Sequence, residues 1–397
     1  MPAVAITGLG QRGEGVAEVD GKRLYVPLTL PGDRAEIAIE GDRGSLVTLL
    51  EEGPGRTQPF CPHFGECGGC QLQHMDAGSY TAFKQGLVET PLRFAGIEIA
   101  IDPLVDAKGT GRRRATLHAR REGSGFMHMR SHQVHDLDRC PILVPALAKA
   151  AEIARGAFAA IGECDVSLTA TLTGIDVAIR AEKKGLKATR LTPLAQRFDL
   201  ARLTLNGDML LQNRQPLVQM GKAQVPLPSG SFLQATEAAE ETLAALVLAP
   251  LKGARSVADL FCGAGPFALR IAEGARVLAA DSDKAGIAAL AQAHRQTQGL
   301  KVITAQVRDL FREPLTIFEL NGIDAVVFDP PRAGAEAQTR ELARSKIKTV
   351  VAVSCDPKTF ARDAAILIAG GYRLERLTPV DQFAWSAHVE LVGVFRR

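Results

Sequence analysis

Ser256-Val257-Ala258-Asp259-Leu260-Phe261-Cys262-Gly263-Ala264-Gly265-Pro266 decides the fold. Its first six residues read as a buried strand and its glycines as a tight turn. Phe267 to Ala272 starts a helix. Arg276-Val277-Leu278-Ala279-Ala280-Asp281 then reads as a second strand ending in an acid. That acid stands about twenty residues past the glycines, the spacing of a nucleoside site. Gly263 and Gly265 let a ligand approach the backbone, and Asp281 can accept both ribose hydroxyls. No Gly-x-Gly-x-x-Gly is present to hold a diphosphate, which fits a ligand without one.

The pattern continues downstream. A third strand ends near Thr304, with Asp309 after it. Gly322 to Phe328 is a fourth, running into Asp329-Pro330-Pro331-Arg332. Thr349-Val350-Val351-Ala352-Val353 is a fifth, ending in Ser354-Cys355 before Asp356-Pro357 stops it. Alternating strands and helices require a doubly wound α/β sheet. Asp-x-Phe-x-Gly-x-Gly followed by a strand-end acid is similar to the S-adenosylmethionine site of class I (Rossmann-like) methyltransferases. Rossmann dehydrogenases are the competing reading. Amino-group methyltransferases carry an aromatic residue after Asp-Pro-Pro. Arg332 in that place argues against methylation of an exocyclic amine.

Cys355 falls at the C-terminal end of a strand, where open α/β sheets place their ligands. Taken alone, it reads better as a small buried hydrophobe. The rest of the chain changes that.

At 397 residues, two or three domains are expected. The net charge of +3 does not by itself argue for nucleic acid. No basic n-region with a long apolar stretch opens the chain, and no apolar run reaches bilayer-spanning length. A cytoplasmic protein with no membrane association is expected. Its seven cysteines are then metal ligands or catalytic groups before disulfides.

Residues 1–55 hold five short apolar stretches separated by glycine-rich turns, the pattern of a small antiparallel barrel. Gly13-Glu14-Gly15-Val16-Ala17, Asp20-Gly21-Lys22, Val26-Pro27 and Leu30-Pro31-Gly32-Asp33 together resemble the TRAM domain. That is an OB-like barrel attached to RNA-modifying enzymes.

Cys61-Pro62-His63-Phe64-Gly65-Glu66-Cys67-Gly68-Gly69-Cys70 sets three thiols at Cys-x5-Cys-x2-Cys spacing among glycines. Soft thiolates suit zinc or an iron–sulfur cluster. Cys140, before Pro141, is the best fourth ligand, with His63 and His74 as competitors that would favour zinc. Chemistry alone leaves the two metals open. A fully ligated site points to a structural or RNA-contacting role.

A basic stretch then runs from Lys108 through Arg112, Arg113, Arg114, Arg120, Arg121 and Arg130 to Arg139. Ala115 to Arg120 and Gly125 to Arg130 alternate as paired strands, and their arginines would suit RNA phosphates. Helices are expected over Ser79 to Phe94 and Thr236 to Leu248, and strands over Val166 to Leu172 and Ile175 to Arg180.

Taken together, the chain resembles the RNA 5-methyluridine methyltransferase family. The residues that carry the likeness are Ser231-Phe232-Leu233-Gln234, Asp259 to Gly265, Asp329-Pro330-Pro331-Arg332, Ser354-Cys355-Asp356-Pro357 and His388-Val389-Glu390. Barrel and cysteine cluster extend the likeness over nearly the whole chain. It is closest to the 23S rRNA members that carry both; archaeal-type tRNA enzymes share these additions. The resemblance implies a [4Fe-4S] cluster on Cys61, Cys67, Cys70 and Cys140. It implies S-adenosyl-L-methionine contacts at Gln234, Phe261, Asp281, Asp309 and Asp329, beside Gly263 and Gly265. It also implies an RNA partner, with 23S rRNA preferred and tRNA as the alternative. A monomer with no protein partner is expected.

The chemistry agrees. Uracil C5 is a poor nucleophile until a thiolate adds at C6, and the C5 proton must leave afterwards. Cys355 is the candidate nucleophile and Glu390 the candidate base. Cys262 and Cys164 are not expected to react. Three residues depart from the family pattern. They are Pro266 after the second glycine, Asp281 in place of a glutamate with Asp283 as a weaker substitute, and Phe383-Ala384 in place of Phe-Pro. The competing reading from another class is a catalytically inactive RNA-binding homologue. The expected domains are residues 1–55 (barrel), 56–235 (central α+β unit with the cysteine cluster) and 236–397 (methyltransferase).

Overall fold

Buried and exposed side chains alternate along the N-terminal strands, as a sheet with one covered face requires. These are β1 (Ala3–Ala5), β2 (Gly8–Leu9), β3 (Gly15–Val19), β4 (Lys22–Val26), β5 (Arg34–Glu40) and β6 (Arg43–Glu51). The molecule, a computed structural model, is described over residues 1–182 and 187–397. The six strands lie in the order β1-β5-β6-β4-β3-β2. Between β1 and β2 the chain bonds to both edges, with Ile6 N donating to Asp33 O and Thr7 N to Val16 O. That curls the sheet around Val4, Ile6, Ala17, Leu24, Val26, Ala35 and Ile37. Six strands form where five are expected, because Gly8-Leu9, in the glycine turn expected after Ile6, pairs with β3. Gly15 is required by space, since a Cβ there would sit 2.0 Å from Thr29 Oγ1.

Helix α1 (Ala77–Phe94) is capped by Asp76, whose side chain accepts from Ser79 N at 2.7 Å. After it comes β7 (Val105–Asp106). The expected boundary at residue 56 puts both in the central unit, but they pack elsewhere. Val88 and Leu92 of α1 enter the same core as Phe360 and Leu377, and β7 adds an edge strand to the C-terminal sheet.

The central unit comprises β8 (Arg114–Arg120), β9 (Gly123–Gly125), α2 (Ala150–Ile161), β10 (Cys164–Thr171), β11 (Gly174–Arg180), α3 (Thr192–Arg197), β12 (Arg202–Leu205) and β13 (Asp208–Gln212). Its sheet runs β13-β12-β11-β10-β8-β9. Ala150, Ile153, Ala154, Ala157 and Ile161 recur at helical spacing and bury one face of α2. The strand expected over Gly125 to Arg130 stops at Gly125. Beyond it, Met127 pairs singly with Val134 and His128 with Cys67, because this segment wraps the cysteine loop.

A hairpin of β14 (Leu217–Met220) and β15 (Ala223–Pro226) leads to α4 (Glu237–Leu248). Thr236 caps α4, accepting from Ala239 N at 2.9 Å. The C-terminal unit alternates β16 (Ser256–Leu260), α5 (Ala268–Ile271), β17 (Arg276–Asp281), α6 (Lys284–Gln296), β18 (Ile303–Val307), β19 (Ala325–Phe328), α7 (Glu336–Arg344), β20 (Thr349–Ser354) and α8 (Pro357–Ala369). β21 (Arg373–Asp381) and β22 (Glu390–Arg396) close it. The order is β18-β17-β16-β19-β20-β22-β21-β7, parallel from β18 to β20 with β22 antiparallel to β20. The third strand runs to Val307, past the expected Thr304, because Val307 pairs with Asp281. Strand order reverses between β16 and β19, the point where such sheets open a crevice for ligands.

Candidate active site

Register brings the expected cofactor residues together. Leu260 pairs with both Ala280 and Phe328, so Phe261, Asp281 and Asp329 follow at adjacent strand ends. Asp309 lies two residues past the end of β18. Asp281 is locked in place, Oδ2 accepting from Gly263 N at 2.8 Å and Oδ1 from Asp283 N at 2.7 Å. Each oxygen keeps a lone pair for a ribose hydroxyl. Asp283 is spent on capping α6, where it accepts from Ala285 N. Gly265 has φ +92°, and a Cβ there would meet Leu290 at 2.5 Å. Phe261 takes a left-handed φ of 61°, a conformation that costs a phenylalanine about 1–3 kcal/mol and persists where the surroundings impose it. Its ring centroid is 5.4 Å from that of Phe311, whose amide donates to Asp309. Phe311 was not visible as a site residue in the sequence, since no motif includes it. Asp259 is buried under this loop with neither carboxylate oxygen partnered. Burial and the nearby Asp329 push its pKa well up.

The expected nucleophile and base lie at the ends of β20 and β22. Ser354 pairs with Leu391, so the next positions, Cys355 and Glu390, face one another. Glu390 is buried. Desolvation, then the charge of Asp329, raises its pKa to about 8. Cys355 is part-exposed, yet burial together with Glu390 and Asp329 raises its thiol to about 12. Arg332 acts the other way. Desolvation lifts Asp329 to about 7.

One amide joins these groups. Gln382 Nε2 donates to Glu390 Oε2 at 2.6 Å and to Gln234 Oε1 at 2.7 Å. Its Oε1 accepts from Ala235 N at 2.8 Å, which fixes the orientation of the amide. Gln234 Nε2 in turn donates to Asp329 Oδ2 at 3.1 Å. Nothing in the sequence singled out Gln382. Below it, Lys84 Nζ donates to Asp381 Oδ1 at 2.9 Å and to the carbonyls of Phe383 and His388. Tyr80 OH donates to Asp381 Oδ2 at 2.6 Å. Thus α1 holds the loop that presents Glu390. Cys355 opens into a cavity of 790 Å³ between the barrel and this unit, lined also by Arg12, Pro31, Arg332, Lys358 and His388.

Cys61, Cys67, Cys70 and Cys140 line one cavity of 380 Å³, with Phe232, Leu233 and Phe383 on its far side. His63 is engaged by His135 and Asp138. His74 is not among the residues lining this cavity, and its ring packs on Phe64. Burial raises Cys70 to about 12 and Cys140 to about 11, each further opposed by neighbouring cysteines. Thiols so placed ionise only against a cation. A zinc tetrahedron with bonds of about 2.3 Å has edges of about 3.8 Å. Among the described residues, the one grouping of three His, Cys, Asp or Glu ligand atoms within 4.8 Å of one another is Glu66, His128 and His135. The sulfurs are thus spread wider than a single zinc ion needs. A larger cluster fits the donor set better.

Several arginines of the basic stretch are engaged within the protein, while Arg121 and Arg139 stay exposed. Arg113 is buried against Glu240, and Arg114 donates to Ser231 O. Arg120 pairs with Asp165 and Arg130 with Glu14. These arginines join parts of the protein to one another. No helix among the described residues is long and apolar enough to cross a membrane.

Comparison with known proteins decides the family. The sequence profile of the tRNA (Uracil-5-)-methyltransferase family matches residues 194–397. The chain belongs to the RNA uracil-5-methyltransferase family. It is 30% identical to a 23S rRNA (uracil(1939)-C(5))-methyltransferase of Cronobacter sakazakii, covering 99% of this chain and 96% of that protein. An uncharacterised RNA methyltransferase of Brucella suis is 48% identical, over 99% of this chain and 97% of that protein. In fold, the chain resembles the tRNA (uracil-54, C5)-methyltransferase of Pyrococcus abyssi, solved with S-adenosyl-L-homocysteine. The TM-score is 0.79 at 22% identity, over 99% of each chain. Members of this family use S-adenosylmethionine, and the locked carboxylate of Asp281 beside a glycine turn suits its nucleoside.

Proposed function

We infer that this protein methylates C5 of a uridine in RNA through a covalent bond between Cys355 and C6. The observation that carries the reading is the register of β20 against β22, which sets a thiol that lines an open cavity beside a buried carboxylate. The Cys355 thiol gives up its proton to solvent as its sulfur bonds to C6, and the electron pair of the C5–C6 bond moves toward O4. C5 then takes the methyl group that S-adenosylmethionine would supply from its positively charged sulfur, the neutral thioether being the leaving group. Glu390 accepts the C5 proton, the C5–C6 double bond re-forms, and the thiolate leaves. Asp329, held by Gln234, orients the reacting groups. Arg332, whose Nη2 lies 3.2 Å from His388 Nε2, stands at the cavity mouth for a uracil carbonyl or a phosphate. The target base must leave its stack to reach Cys355.

The cysteine cavity is assigned to a [4Fe-4S] cluster on Cys61, Cys67, Cys70 and Cys140. Its far wall carries Phe232 and Leu233, next to Gln234, and Phe383, next to Gln382. The cluster therefore stiffens the two loops that bear the catalytic amides. The N-terminal barrel is assigned as a TRAM domain for RNA binding, and the substrate as 23S rRNA. The full-length likeness to the Cronobacter enzyme supports that choice over tRNA.

Nucleoside mass spectrometry of separated rRNA and tRNA from a deletion strain tests the assignment. The expected result is 5-methyluridine lost from 23S rRNA and unchanged in tRNA. Loss from tRNA alone moves the substrate, and no loss from either refutes the activity.

A further inference from the structure

At the edge of the cysteine cavity, which His63 helps to line, stand two imidazoles between two carboxylates. Asp138 Oδ1 lies 2.6 Å from His63 Nε2. His63 Nδ1 lies 2.9 Å from His135 Nε2. His135 Nδ1 lies 3.5 Å from Glu66 Oε2. A third imidazole, His128, meets His135 edge to face at 4.9 Å. One ligand atom from each of Glu66, His128 and His135 lies within 4.8 Å of the others.

Proton counting gives this arrangement its meaning. A carboxylate only accepts, and a neutral imidazole has one N–H and one lone pair. Asp138 therefore takes the N–H of His63 Nε2. His63 Nδ1 is then an acceptor and takes the N–H of His135 Nε2. That leaves His135 Nδ1 as a bare lone pair aimed at Glu66, another acceptor. Three gaps are bridged by two protons, and the unfilled gap is the one His128 borders. Such a chain is the second shell that fixes the tautomer of a metal-bound histidine.

We propose that Glu66, His128 and His135 bind a divalent transition-metal ion, zinc first, with His63 and Asp138 orienting His135. Two imidazoles and one carboxylate suit such an ion and leave coordination positions open. Those positions face a hollow of 700 Å³ lined by Glu66, Glu122, His128, Gln133, His135 and Asp136, with no lysine or arginine among them. The ion joins Glu66 of the cysteine loop to the segment around His128. Those two already meet through Gly68 N donating to Met127 O and Met129 N to Glu66 O. The ion clamps the cysteine loop from outside and is not part of the cluster. It does not depend on what the cysteines hold.

The test uses the anaerobically purified protein, dialysed against chelator, assayed for iron and titrated with Co²⁺ under a spectrometer. The expected result is one equivalent of cobalt with d–d bands and no thiolate-to-cobalt charge transfer. His135→Ala and His128→Ala should abolish it. Asp138→Asn should weaken it about 10–100-fold with iron content unchanged. Cobalt that binds only with thiolate charge transfer, or equally well to all three variants, overturns the proposal. So does an absence of binding, which means that an extra proton fills the third gap. The iron assay reports on the cysteines and the cobalt bands on the histidines, so each assignment can fail alone.

Discussion

At Cys355 the free enzyme holds its nucleophile back. A thiol raised to about 12 by burial and by two carboxylates is protonated at neutral pH. Cys355 in the free enzyme should therefore react slowly with iodoacetamide near pH 7, and faster as pH rises, with no plateau below about pH 10. Rapid alkylation at neutral pH would show an activated thiolate and contradict this electrostatic picture. Glu390 works in the opposite sense. With a pKa of about 8 it carries a proton below that pH and cannot accept another. The kcat/KM for RNA should rise with pH through about 8, because the charged form is the base. Glu390→Gln should lower turnover about 10²–10⁴-fold while the covalent adduct accumulates. Gln382 donates to the charged base and lowers its pKa. A hydrogen bond to a charged group is worth about 1.5–3 kcal/mol, so Gln382→Met should slow proton removal about 10–100-fold. It should also move the pH limb upward, and an unmoved limb would remove Gln382 from the positioning of the base. Cys355 and Glu390 were legible because Ser354-Cys355-Asp356-Pro357 and His388-Val389-Glu390 are motifs. Gln382 and Phe311 were not. Their roles come from what they touch across strands, and neither stands in a motif that singles it out.

Among the elements, α1 matters most to the site without contributing a reacting group. Lys84 and Asp381 are both fully buried and bind each other, with Tyr80 completing the set. Removing one partner of a buried pair leaves the other charge uncompensated, at about 3–5 kcal/mol. Lys84→Ala should lower stability by that order in urea unfolding. Adding Asp381→Asn should recover part of the loss. A single variant as stable as the parent would contradict the support role. The sequence marked a helix over Ser79 to Phe94, but not its attachment. A buried lysine on a helix looks like any exposed lysine until its partner, 297 residues away, is known. The same limit hid the fate of the basic stretch. Arg113 and Glu240 meet only in the fold, so the sequence did not show that this arginine of the run is spent inside the protein. The strand after Gly125 failed for a related reason, because its backbone pairs with the cysteine loop. Strands β17, β19 and β20 were legible as apolar runs stopped by an acid or a proline, whereas Thr304 and Gln306 interrupt β18, whose end was placed three residues short.

Over the whole molecule, barrel, α1 and C-terminal unit enclose the cavity that Cys355 faces. Arg12 comes from the barrel and Lys358 from the first turn of α8, so the two could grip one RNA strand on either side of the flipped base. Arg12→Ala and Lys358→Ala should each weaken binding in fluorescence anisotropy. Each should also flatten the dependence of log K on log salt by about 0.7–0.9. Unchanged slopes would place the RNA elsewhere. The central claim is the bond from Cys355 to uracil C6. It is tested most directly by mixing the protein with S-adenosylmethionine and 23S rRNA transcribed with 5-fluorouridine. Fluorine at C5 cannot leave as a proton, so the reaction stalls after methyl transfer. A complex that survives denaturing electrophoresis, maps to Cys355 and disappears in Cys355→Ala is the predicted result. Failure to trap any complex on an RNA that the protein demonstrably methylates would contradict it.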